Sequence, residues 1–171
     1  MLKEDKKQEI LELIPTYQKE IEYSKVYSEY ALAYNTRHLA QIHRRQTFNY
    51  KEALRLFKLS LDLRIEIGFK PFIPASYSSL GDVYMKMGQN PEAVEMYTKS
   101  SEFAEEIGFV RYQLYPNIQI GDFYQENGQV DKAFEYYLKA LKLATKNNFS
   151  IGIDQSIEKM RKMNISINKR H

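Results

Sequence analysis

Carboxylates and imidazoles are the first places to look for chemistry in this chain. Asp82 and Asp122 each follow a glycine and stand forty residues apart. If equivalent segments stack as packed helices, the two come within roughly 10 Å of each other. Such a pair suits acid–base work only when a pocket or a third group splits its proton affinities, and the sequence offers neither. His38 and His43 are five positions apart, about 140° round a helix, and His171 ends the chain. That scatter does not build a metal site. Gly81, Gly88, Gly108, Gly121 and Gly128 are too widely spaced for a phosphate-cradling loop. Without cysteine, thiolate chemistry and disulfides are excluded. The expectation is a chain with no catalytic residue, no metal and no cofactor, whose polar side chains serve binding.

The elements that would position those side chains repeat. "GDVYMKMGQNPEAVEMYTKSSEFAEEIGF" at 81–109 is answered by "GDFYQENGQVDKAFEYYLKALKLATKNNF" at 121–149. A third, more diverged copy lies upstream: Ala53, Ala93 and Ala133 fall in register, as do Phe57, Tyr97 and Tyr137, and Phe69, Phe109 and Phe149. Apolar residues within a copy follow a three-and-four rhythm, which predicts paired helices, over 75–87 and 91–107, then 115–127 and 131–146. The first copy predicts 34–46 and 50–67, although neither proline nor glycine marks its turn at Thr47–Asn49. Gly81 and Gly121 fall mid-helix, where glycine costs about 1 kcal/mol against alanine. Close passage of the partner helix, with Ala93 or Ala133 facing them, would justify that cost. Aromatic side chains, fourteen Tyr and nine Phe, would fill the wider gaps.

These residues carry a resemblance. Leu80, Gly81, Tyr84, Ala93, Tyr97 and Ser100, then Ile120, Gly121, Tyr124, Ala133, Tyr137 and Ala140, are similar to the tetratricopeptide repeat. The forty-residue period resembles the lengthened repeats of kinesin light chains, Leu-Gly-Asn-type adaptors and bacterial peptide-pheromone receptors. The resemblance implies an all-α fold, a right-handed superhelix of antiparallel helix pairs, with repeats at 35–74, 75–114 and 115–149. An N-terminal helical segment would occupy 1–34, with Pro15 breaking it or starting a second piece. Tyr17, Ile21, Tyr27, Ala31 and Tyr34 would pack it on the first repeat. A capping helix would span 151–163, followed by a frayed tail at 164–171.

The same resemblance implies that the first helix of each pair lines a concave groove. Carried over, the groove positions are His38, Ile42 and Arg45 in the first copy. In the second they are Ser78, Asp82, Met85 and Lys86, and in the third Asn117, Ile118, Asp122, Gln125 and Glu126. Family members that clamp a terminal carboxylate hold Lys and Asn there; stacked aspartates would repel that ligand. A ligand of basic character suits Asp82, Asp122 and Glu126, while Arg37, His38 and Arg45 would meet an acidic stretch.

Charge is uneven. Arg37, Arg44, Arg45, Lys51, Arg55, Lys58 and Arg64 face only Glu52 and Asp62 between 37 and 64, which raises nucleic acid as a lesser alternative. The dense apolar face of the first helix raises a second copy of the chain as another. No signal-peptide pattern or membrane-length run occurs, so a cytoplasmic protein is expected. The reading is a protein- or peptide-binding adaptor.

Overall fold

A computed structural model describes residues 2–168. They form helices and the short links between them. The chain divides into two compact units, Met1–Gln89 and Asn90–His171, so the two helices of the middle copy belong to different units.

The first unit contains α1 (Leu2–Tyr27), α2 (Glu29–Ile42), α3 (Tyr50–Glu66) and α4 (Ile73–Lys86), with a π-turn at His43–Thr47 and a 3-10 turn at Lys70–Phe72. Each helix packs on the next. Ser28 alone separates α1 from α2, and its hydroxyl accepts the Ala31 N–H at 3.2 Å, satisfying a donor that the helix start leaves open. So short a link turns the chain straight back on itself. α1 passes through exposed Pro15 without a break, held by an inward row of Ile14, Tyr17, Ile21 and Ser24 at three-and-four spacing. Two residues expected on that packing surface are not on it: Tyr27 is 68% and Tyr34 58% exposed. Ser24 holds the level instead, accepting a bond from Asn35 at 3.3 Å. Between α2 and α3, Ala53 and Phe57 are buried and the Ser60 hydroxyl donates to the Ala33 carbonyl at 2.7 Å.

The second unit contains α5 (Asn90–Glu106), α6 (Arg111–Glu126), α7 (Val130–Lys146) and α8 (Ser150–Asn168). Ile118, Ala133, Tyr137, Ala140 and Met163 form its core. Gly121 is tightly packed, but against a different residue from the one expected. A Cβ there would lie 2.5 Å from Cε1 and 2.7 Å from Cδ1 of Tyr137; the ring, not Ala133, fills the space the glycine leaves. The helix of α8 continues past Met163 to Asn168, and residues 169–171 of the expected tail lie outside the described residues.

From the α2–α3 link onward, one left-handed residue closes each turn, every twenty positions. Gly68, Gly88, Gly108 and Gly128 have φ between 68° and 74°, Asn148 has 56°, and Phe48 has 55°. Glycine and asparagine visit this region readily, whereas a bulky side chain is strained there. At Phe48 the preceding π-turn lets the Asn49 N–H reach back six residues to the His43 carbonyl, at 3.1 Å. In the glycine turns the same bond spans five residues, as in Gln129 N–H to the Tyr124 carbonyl at 2.8 Å.

Candidate functional site

In the first unit the expected ligand positions fall on α2, the π-turn that follows it and α4, and differ in accessibility. His38 is half-buried between two rings, 5.8 Å from Tyr17 and 4.2 Å from Tyr34. Burial, then the charges of Arg37 and Arg64, hold its pKa below the usual imidazole value. Ile42 is buried, while Arg45 is exposed. All three line a cavity of about 240 Å³ whose other wall includes Ile10, Leu13 and Tyr17. The apolar face of α1 therefore covers part of this surface. On α4, Ser78 and Met85 are half-buried and Lys86 is exposed.

Asp82 is an ion-pair partner. Arg44 Nη1 lies 2.5 Å from its Oδ2, and both side chains are 15% exposed. The basic stretch is spent in similar ways. Besides Arg44, Arg55 forks onto Glu52 at 2.6 and 2.9 Å, Lys58 lies 5.7 Å over the Tyr84 ring, and Arg64 is buried. Charges held this way present a weaker field to a phosphate backbone than the sequence total implies.

In the second unit, Asn117 lies inside the packing, with no solvent exposure. Its Nδ2 donates to Ser101 Oγ at 3.1 Å and to the Gln113 carbonyl at 2.6 Å; its Oδ1 is buried without a partner. Ile118 is in the core beside Met163. Asp122 accepts from the Tyr137 hydroxyl at 2.6 Å and pairs with Lys159 Nζ at 2.6 Å. The same hydroxyl stands 2.7 Å from the Gln125 amide oxygen. Burial, then the bond to Asp122, raises the Tyr137 pKa far above its ordinary value, so the phenol keeps its proton. Glu126 is exposed.

The candidates thus separate into residues that hold the fold and residues that face solvent. Asp82, Asn117, Ile118 and Asp122 tie helices together. Arg45, Lys86 and Glu126 are accessible. Sequence reasoning missed the partners Arg44, Tyr137 and Lys159. The signal for two of them was there: the cations lie 38 and 37 residues from their aspartates, close to one repeat length. Among the described residues no group of three or more metal-ligating side chains stands together, and no helix is long and apolar enough to cross a membrane.

Comparison with known proteins bears on the family. No curated protein matches the sequence. Among solved structures, the chain is similar to one from Podosopora anserina with nearly identical TPR-like repeats, assigned as a kinesin light chain: 19% identity, 99% of this chain and 84% of that one, TM-score 0.76. BtubC (BKLC) from P. vanneervenii is 12% identical over 98% of this chain and 78% of its own, TM-score 0.71. Aspartyl phosphate phosphatase F from Bacillus subtilis is 15% identical over 94% of this chain but only 45% of its own, TM-score 0.60. At these identities the likeness is one of fold. Two sequence models, both described as tetratricopeptide repeat, match residues 29–106 and 116–147. Together with the helix pairs and their turns, they show an all-α protein of the tetratricopeptide repeat family.

Proposed function

We propose that this protein is a cytoplasmic, protein- or peptide-binding adaptor that contacts its ligand through the first helices of its repeats, and that the first unit's share of that contact is to an acidic segment. The fold is typical of adaptor and scaffold proteins. The observation that supports the polarity is the Arg44–Asp82 pair. It offsets the Asp82 carboxylate and leaves the charges of exposed Arg45 and Lys86 facing solvent. Such residues add little to folding, so their charge is available for steering a partner. Glu126 gives the second unit an accessible charge of the opposite sign.

Affinity capture from the native host's lysate tests the reading, with wild type compared against R45E/K86E and against E126K. Light scattering first establishes that all three share one mass. A partner lost with R45E/K86E and carrying an acidic stretch supports the proposal. Retention of the same proteins by both variants defeats it. A wild-type mass of two chains with empty capture would instead favour self-association.

A further inference from the structure

A second cavity of the first unit shares only Arg37 with the expected ligand positions. It encloses about 510 Å³ among the start of α2, the end of α3 and the 3-10 turn, within the size range of small-molecule sites. Its walls are aromatic: Tyr30 meets Phe69 edge-on at 5.5 Å, Phe69 lies 5.2 Å from Phe72, and Tyr34 adds a fourth ring. Two guanidinium groups share those walls, Arg37 and Arg64, and no carboxylate does.

Arg64 is 4% exposed. Its Nη1 donates to the Phe72 carbonyl at 3.3 Å and to the Ser76 hydroxyl, and the group lies 5.7 Å over the Phe72 ring. It is therefore fixed in place. Arg37 Nε is shut off from solvent and donates to no acceptor. An N–H left in that condition costs free energy, and the side chain that carries it lines the cavity. Both charges depress the pKa of neighbouring His38, a sign of local positive potential. Packing does not call for Arg64. One and two repeats later, Arg64 is replaced by Ala104 and Ala144, both fully buried.

We propose that this cavity binds a small organic acid, with one carboxylate on Arg37 and Arg64 and an apolar body against the four rings. Charge-assisted bonds to guanidinium fix the head, and ring burial supplies the rest of the affinity.

The test uses decanoate as the probe, titrated calorimetrically into the whole chain, with decanol and acetate as the two halves of its chemistry. Saturable binding of one decanoate per chain is expected, with neither half binding comparably. Arg37→Gln should weaken decanoate binding by about tenfold, the loss of one charge-assisted bond. Tyr34→Ala, at an exposed ring, should weaken it as well, and Lys51→Gln should leave it intact. Thermal melts confirm that each variant folds. Absence of decanoate binding, equal binding of decanol, or unchanged affinity in Arg37→Gln overturns the proposal. So does a cavity that only an acidic peptide fills.

Discussion

In the α6–α7 pair, Gly128 closes the turn at φ 72°, Tyr137 fills the gap beside Gly121, and Ala144 ends the packing face. Eighty residues earlier, the α2–α3 pair has Phe48 at φ 55°, Phe57 and Arg64 in those roles, and Gln41 where the glycine would be. Both pairs keep the small residue, Ala53 or Ala133, and the buried ring. What they share is therefore what two antiparallel helices need in order to pack. Where they differ, the earlier pair carries an electrostatic and conformational cost, and the cavity with two arginines lies in that same pair. Strain and buried polarity that packing does not require are grounds for assigning a ligand there.

The comparison breaks most visibly at the shared ring. Tyr137→Ala and Phe57→Ala should each cost about 3–5 kcal/mol, seen as a drop of more than about 6 °C in melting temperature. Tyr137→Phe separates the two pairs, because only Tyr137 has a hydroxyl donating to Asp122; that change should cost about 1 kcal/mol in denaturant unfolding. If Tyr137→Ala is mild, the ring is not the shared element.

Next comes the glycine. Gly121→Ala gains helix propensity but forces the Tyr137 ring aside, and a net loss of about 1–2 kcal/mol is expected. A stabilised variant would contradict the close approach. Asp82→Asn, which leaves Arg44 without its anion, should cost a similar 1–2 kcal/mol, about that of a hydrogen bond to a charged group. Asp122→Asn should cost less, since Lys159 is 35% exposed and screened by water.

Phe48→Gly would convert the first turn to the form of the others. A gain of about 1 kcal/mol is expected from relief of the left-handed backbone, reduced by loss of the ring's contact with Lys7 at 5.8 Å. An unchanged or lower melting temperature would mean that the π-turn has already relaxed the site.

The smallest effect is in pH. His38 is held below its ordinary pKa by burial and then by Arg37 and Arg64, and His43 by burial and Arg55 against the opposing pull of Glu52. The folded chain thus takes up these protons at lower pH than the unfolded chain. Their contribution is fully present above about pH 6.5 and is lost as pH falls through the lowered values. Melting temperature should decline from pH 7 to pH 5, and His38→Gln should flatten part of that slope.

Much of this was legible in the sequence. The forty-residue register fixed Ala53, Ala93 and Ala133 and the rings at 57, 97 and 137 as interior, and all six are buried. What faces Gly121 was misjudged because equivalence between copies says nothing about which residues meet across a turn. Gly121 lies seven residues before Gly128, and Ala133 and Tyr137 lie five and nine after it, so distance from the turn favours neither; the Tyr137 ring reaches into the space beside the glycine. Asp82 and Asp122 read as free acids because a helical pattern assigns faces and not the reach of long side chains from the next helix. Arg64 was read only as one of seven charges. Its burial and cavity follow from residues drawn from three elements, which no local pattern relates.

The left-handed residues at 48, 68, 88, 108, 128 and 148 also bear on how such a chain can change length. Inserting one residue within a helix turns every later side chain by about 100° and moves the next reversal off its glycine. Inserting or deleting forty disturbs neither. Evolution can therefore alter the copy number of this protein far more readily than the length of any one copy, and small insertions should be confined to the short links beside those reversals.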